Sequence, residues 1–509
     1  MTSWTSKVLG MRNLSGELES HRLSGKVIVH CHGVFDLFHP GHFRHLTSAK
    51  ALGDILVVTI TGDDFVGKGP GRPVFTQRLR AEVLAGLEVV DYVAVVPSPS
   101  ALPAIQQVRP ALYVKGVEYE DENNDRTGRM HDERSLVESL GGVVVFTDDI
   151  VFSSSALINS FMPQHEPEIQ AWLSSLKEEF DLSSVLEWLD RVQEVEVTVV
   201  GEAILDVYTN CDTLGVASKE PVLCLNRGPS VTHAGGALAI AGHCAGLGAK
   251  TRLVTGLNTV DFEHDSLQQL KEAGISLDLI AIDPRPTIRK ERILDGSTQS
   301  RLLELYDMDD TPLDGEGLRA LLKALRMRVS TSDMILVADF GHGFLADKST
   351  LESLSDASFL ALNAQANAGN HGFNSVQRYP KANFVTLNGK EIQLEAGRRH
   401  VDLDCYIPEL MSSLDAQALL VTQGAAGLEL FLADGTTVRS PALAPFVADR
   451  VGAGDAVLAA TSLLARVGAP APVVGLIGNV VGAWAVSFLG NQKTLEIGAL
   501  QRQVSAILS

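Results

Sequence analysis

Cysteine is scarce: Cys31, Cys211, Cys224, Cys244 and Cys405 are the only five in 509 residues, scattered and without CxxC spacing. This excludes a disulfide framework and a structural zinc site, and fits a reducing compartment. Positive charge is also short, with 42 Lys and Arg against 62 Asp and Glu and a net charge of -20. Sequence-independent nucleic-acid binding depends on basic surface, so no nucleic-acid partner is expected and anionic ligands must be met by local cations. No apolar run is long enough to cross a bilayer, and the opening MTSWTSKVLGMRNLSGELES has no secretory apolar core. A cytoplasmic protein without membrane contact is expected. No internal repeat is present.

What the chain has is length for two hydrophobic cores. From Lys26 the runs VIVHCH, DILVVTI, DYVAVV, ALYVKG and GGVVVF alternate with helix-like segments up to Met162, the pattern of a parallel sheet wrapped by helices. Residues 1–25 form an extension. Residues 163–194 are acidic and helix-prone, and read as a helical linker whose last helix packs on the domain that follows. From Val195 to Ser509 a second series runs through VTVVGE, KTRLVTG, SDMILVAD, ASFLALN, ANFVTLN and ALLVTQG. Cys211 to Arg227 and Thr287 to Leu294 read as extra strands forming a lid, and their PVLCL and RILD segments offer pairing surfaces for a homodimer or larger homo-oligomer. NAQANAGNHGFN, Asn363 to Asn374, reads as a polar loop after a strand.

The strand VIVHCH runs into Gly33-Val34-Phe35-Asp36 and then His39-Pro40-Gly41-His42, followed by a helix. Free N–H groups and the positive dipole end at a helix start favour a nucleotide's phosphates, and imidazoles can donate to the same oxygens. Gly41 leaves room for close approach. The chemistry suggested is attack by a substrate phosphate on the α-phosphorus of a nucleoside triphosphate, assisted by His39, His42, Lys50, Lys68 and Arg72. Asp36 is read equally as facing substrate or stabilising its turn.

The ordered set GVFDLFHPGHFRHLTSAKALGD, ITGDDFVGKGPGRPVFTQRLRAEVLAGLEVVDYV, YVKGVEY and FSSSALI resembles the cytidylyltransferase-like family over Lys26 to Met162. The resemblance implies a Rossmann-like nucleotidyltransferase domain in which His39 and His42 contact the triphosphate, with Gly33, Phe35 and Gly41 beside it. It also implies that Lys50 and Lys115 assist at phosphates, that Arg80 lies near substrate, and that Ser153, Ser154 and Ser155 hold phosphate at a helix start.

Near the other end, Gly452-Ala453-Gly454-Asp455 precedes an apolar helix. Small residues there can form an anion hole, and Asp455 could deprotonate a hydroxyl that attacks a γ-phosphate, or simply cap the helix. With GEAILD, HAGGALAIAGHCAGLGA, ADFGHG, TLNGKE, TQGAAG and GAGD in order, Val195 to Ser509 resembles the ribokinase-like (PfkB) sugar kinases. The fold class implied is α/β throughout, the second domain being a ribokinase-like α/β sandwich with a β lid. Asp455 is then the catalytic base and Asn388 with Glu391 organises Mg²⁺. Thr422, Gly424 and Asn479 line the ATP pocket, and Asp206, Gly235 and Gly236 lie at the acceptor sugar.

Both domain types together resemble the bifunctional heptose kinase/adenylyltransferases, with the domain order reversed. That implies phosphorylation of a sugar or sugar phosphate by ATP and nucleotidyl transfer from ATP or CTP to a sugar 1-phosphate. Ala239 stands where those kinases carry Asn, Asn363-Ala364-Gln365 where they carry Asp-Pro-Lys, and Val451 where they carry Thr, departures that bear on the acceptor's identity. Two alternatives stay open: a cytidylyltransferase for a phosphorylated alcohol, and a non-catalytic second domain that regulates the first.

Overall fold

The computed structural model describes residues 5–66, 72–116, 129–147, 167–370 and 372–508. Two compact units divide the chain, Met1–Gln164 and His165–Leu508. Lys68, Ser153, Ser154 and Ser155 lie outside the described residues.

In the first unit the five apolar runs are five strands: β1 (Ile28–Gly33), β2 (Ile55–Thr61), β3 (Tyr92–Val96), β4 (Leu112–Gly116) and β5 (Val143–Thr147). They pair in parallel in the order β3-β2-β1-β4-β5. Every residue of β2 is buried, as a strand covered on both faces must be. Strand order reverses between β1 and β4, and in such sheets the crevice outside the strands' carboxyl ends at that reversal is where ligands bind. The turn leaving β1 is His39-Pro40-Gly41-His42. Residues 5–25 are part of this unit: Leu14 and Leu18, on the helix Met11–Leu23, join a core with Ile28, Ile55 and Val57, and Val8 bridges to Val93.

The second unit has a largely parallel sheet of β6 (Glu196–Gly201), β9 (Lys250–Leu257), β10 (Ser276–Ala281), β13 (Met334–Asp339), β14 (Leu360–Ala364), β15 (Phe384–Asn388), β16 (Ala418–Thr422), β17 (Leu428–Leu432) and β18 (Thr437–Ser440). Their order is β10-β9-β6-β13-β14-β15-β16-β17-β18, so the reversal lies between β6 and β13. Of the helices Pro167–Glu179 and Leu182–Val192, the last packs on the second unit as the sequence suggests, and the first joins it there. Their Leu173, Leu176, Val185, Leu189 and Val192 enter the main core of this unit, because an amphipathic helix must bury its apolar face.

A second sheet of β7 (Ala203–Val216), β8 (Leu223–Gly236), β11 (Ile288–Asp295) and β12 (Arg301–Asp307) forms the lid, ordered β12-β11-β7-β8. It holds the two expected lid segments and is larger than they indicate. The RILD segment lies on β11, an interior strand with Ile293 and Leu294 buried, so its backbone and side chains are already engaged. The PVLCL segment enters β8, an edge strand, and leaves Val222 and Leu223 exposed. Among the described residues, no helix is long and apolar enough to cross a membrane.

Candidate active sites

In the first unit, His39 is the N-cap of the helix Pro40–Lys50, its Nδ1 accepting from the Gly41 N–H at 3.1 Å. That bond places the ring proton on Nε2, a donor for an anionic oxygen. His42 stacks on His39 with ring centroids 3.9 Å apart, and Phe35 and Phe38 pack against it at 5.1 and 5.6 Å. Phe35 and Leu37 both have left-handed backbone, φ 50° and 48°, uncommon for side chains of this size and typical of constrained site loops. Gly33 serves this loop, since a Cβ there would lie 3.1 Å from the Phe35 ring.

Asp36 is turned inward. It accepts from the N–H groups of Val74 at 2.9 Å and Phe75 at 3.1 Å, and pairs with Arg72 at 3.5 Å. It therefore clasps the Arg72–Phe75 segment to the histidine loop, the stabilising role of the two considered. Arg80, expected near substrate, is buried and donates to the carbonyls of Phe75, Val34 and Thr61 and to Asp63 Oδ1 at 2.6 Å. With these bonds it stitches three loops together.

Lys50 is not brought to the histidines. It ends the helix whose first turn holds His42, about 12 Å further along the axis, and binds Asp91 Oδ2 and the Asp54 carbonyl, each at 2.5 Å. Lys115 is near the carboxyl end of β4, where it pairs with Glu133 at 3.0 Å over the Tyr113 ring. Sequence reasoning missed the chain from His30 through Thr59 to His32 and Thr61, with bonds of 2.8, 2.8 and 3.3 Å. The alternation of histidines along VIVHCH was its only signal.

In the second unit, Asp455 is not a cap. The N-cap of the helix Ala453–Arg466 is Gly452, at φ 80°, where a Cβ would collide with Asn491 Oδ1. Asp455 is the third helical residue, and space is open around Gly454. Its carboxyl is pushed up to about 7, first by burial and then by Asp206, while Lys290 and Arg292 oppose the rise. A general base works best when poised near the operating pH.

Lid residues face it. Arg292 on β11 donates to Asp206 on β7 at 2.6 Å. Lys290, also on β11, is buried with its ammonium over Tyr306 at 5.4 Å and Phe340 at 5.9 Å, within the field of Asp206 and Asp455. The sequence held the signal for both: in IRKERIL, Lys290 and Arg292 alternate on one face with Ile288 and Leu294, the inward face of a period-two strand. Gly235 and Gly236 end β8 beside Asp206 and Glu202. A Cβ on Gly235 would collide with Asp206 Oδ2, and one on Gly236, at φ 56°, would lie 2.6 Å from the Glu202 carbonyl.

Thr422 and Gly424 line a cleft of about 460 Å³ with Gly389, Lys390 and Arg450. Asn479 is buried, and its amide donates to the carbonyls of Ser440 at 3.2 Å and Gly475 at 3.1 Å. Both amide hydrogens are thus engaged inside the protein. Asn388 and Glu391 form a capping box: Asn388 Oδ1 accepts from the N–H of Lys390 and of Glu391, and Glu391 accepts from the N–H of Asn388 at 2.8 Å and Ala366 at 3.1 Å. Helix capping by itself accounts for the Asn-x-x-Glu spacing. Among the described residues no group of three or more His, Cys, Asp or Glu is placed to hold a metal.

A glycine-rich helix start beside a buried carboxyl, at the carboxyl edge of a largely parallel sheet and under a β lid, defines an α/β protein built to handle phosphate. The chain belongs to the pfkB family carbohydrate kinases, whose pattern residues 195–497 match, and residues 30–160 match the cytidylyltransferase-like family. The bifunctional protein HldE of Syntrophotalea carbinolica is 38% identical over 147 residues, 28% of this chain and 29% of that protein. The bifunctional protein HldE of Pseudomonas aeruginosa is 29% identical over 305 residues, 59% of this chain and 62% of that protein. The alignments therefore span less than two thirds of these relatives. Among solved structures, phosphofructokinase-2 from Escherichia coli in complex with potassium superposes with TM-score 0.51 and 16% identity, covering 62% of this chain and 99% of that one. The same enzyme in complex with substrates and products gives 0.50 and 15%, covering 61% and 98%.

Proposed function

We propose that the chain carries two successive phosphate chemistries: phosphorylation of a sugar or sugar phosphate by ATP, and transfer of a nucleotidyl group to the resulting sugar phosphate. The observation that carries the first is Asp455, a buried carboxyl poised near neutrality at an open helix start. It takes the proton of the acceptor hydroxyl, the oxygen bonds to the γ-phosphorus, the bridging bond to the β-phosphate breaks, and ADP leaves. The N–H groups of Ala453 and Gly454 meet the developing charge, and the Thr422–Gly424 cleft takes the nucleotide.

Mg²⁺ fits this site through Glu391. Its carboxylate is buried and pushed up to about 7, with backbone N–H partners rather than a paired cation. Glu391, held by the backbone N–H groups of Asn388 and Ala366, would face the ion, which would neutralise the nucleotide's phosphates.

In the first unit an acceptor phosphate oxygen attacks the α-phosphorus and pyrophosphate leaves, with His39 and His42 donating to the triphosphate. The resemblance of both motif sets to the bifunctional heptose kinase/adenylyltransferases makes a heptose phosphate the leading acceptor. Two copies pairing through the β8 edge is the assembly consistent with exposed Val222 and Leu223. The test is product analysis by mass spectrometry with ATP, CTP and a panel of sugars and sugar phosphates. Asp455→Asn should stop ADP formation while pyrophosphate release from a supplied sugar 1-phosphate continues, and loss of neither activity would overturn the assignment.

A further inference from the structure

His342 has no role in the chemistry above. It follows β13 and is 3% exposed, yet neither Nδ1 nor Nε2 has a hydrogen-bond partner. Leaving buried polar atoms unpaired is costly, and in native structures it needs a reason. The ring is also firmly placed. Glu202, after β6, accepts from the N–H of Phe340 at 3.0 Å and of His342 at 3.1 Å, pinning this turn across the β6/β13 reversal where a ligand crevice forms. A Cβ on Gly369 would lie 2.8 Å from Met308 Cε and 3.6 Å from His342 Cε1, which puts the imidazole beside the residue leaving lid strand β12.

We propose that His342 reads the acceptor sugar, one ring nitrogen donating to a hydroxyl and the other accepting from its neighbour. Burial and nearby Lys290 push the imidazole down to about 4, so it is neutral and offers one donor and one acceptor. That pair matches two adjacent hydroxyls, whereas a phosphate oxygen cluster asks for donors only. The nucleotide cleft is a different place: Thr422 ends β16, three strands from β13, about 14 Å away at the usual strand spacing. Lys290, which faces both His342 and Asp455, instead links this ring to the phosphoryl-transfer centre.

The inference rests on the sugar-kinase reading, and one experiment separates the two. Initial rates are measured on the full chain with MgATP and a panel containing heptose 7-phosphate, fructose 6-phosphate and ribose, for the natural protein, His342→Leu and His342→Asn. The expected result is an acceptor KM raised about 10- to 100-fold in His342→Leu with the ATP KM unchanged, partly recovered in His342→Asn, whose amide both donates and accepts. If His342→Leu melts well below the natural protein, His342→Asn decides alone through a change in its ranking of the panel sugars. An unchanged acceptor KM and ranking, or an ATP KM raised by the same factor, overturns the proposal while the kinase reading stands. A natural protein that turns over no panel sugar overturns the kinase reading and the role of His342 with it.

Discussion

Gly235 on β8 lies against Asp206 on β7 so closely that a Cβ would overlap the carboxylate Oδ2. The absent side chain lets Asp206 point beneath the lid, where Arg292 holds its other oxygen at 2.6 Å. Gly235→Ala should therefore rotate Asp206 off Arg292. A rise in acceptor KM of about tenfold or more is expected with ATP KM unchanged, measured by coupled ADP release.

Asp455→Asn should lower kinase kcat by about 10²- to 10⁴-fold, the range for removing a general base. In the natural protein kcat/KM should climb with pH and level off above about 7, where Asp455 is deprotonated.

Stability should run the opposite way. The folded carboxyl of Asp455 is raised above its ordinary value of 3.8, so its contribution is fully present below about 4 and is lost as pH rises through about 7. Glu391 and Glu202, both raised to about 7 by burial, act in the same direction. Thermal melts at pH 5 and pH 8 should show Asp455→Asn gaining more at pH 8, a site residue trading stability for function.

The capping box and the Mg²⁺ role of Glu391 separate experimentally. Asn388→Ala should cost about 1 kcal/mol of stability, as lost caps do, with little change in Mg²⁺ dependence. Glu391→Gln should raise the Mg²⁺ concentration needed for half-maximal ADP release by more than Asn388→Ala does.

In the first unit, His42→Ala should reduce pyrophosphate release by about 10²- to 10³-fold, as loss of a preorganised donor does. Lys50→Ala should leave it within twofold, because Lys50 is engaged at the far end of its helix. Arg80→Met should act on folding instead, costing about 3 kcal/mol by stranding Asp63 and the carbonyls of Val34, Thr61 and Phe75. Denaturant melts read that loss directly.

The apolar strands of both sheets were legible because a strand covered on both faces must be apolar throughout. Strand β12, Arg301–Asp307, was not: its RLLELYD sequence is mostly exposed and carries a weak pattern. The helices within residues 163–194 looked like a connector because their polar faces dominate the composition. Only packing shows that Leu173, on the first of the two helices, enters the same core as Val185 and Leu189.

The sequence by itself determined two α/β series, the histidine turn after β1 and the small-residue turn before Asp455, since periodicity and turn chemistry are local. Tertiary structure alone decided how the polar side chains are used. It sent Arg80, Asp36, Lys50 and Asn479 to protein partners and left both ring nitrogens of His342 unpartnered. The reason is physical. A strand's pattern is a property of neighbours in sequence, whereas a buried charge or hydrogen bond is satisfied by whatever the fold brings within about 3 Å.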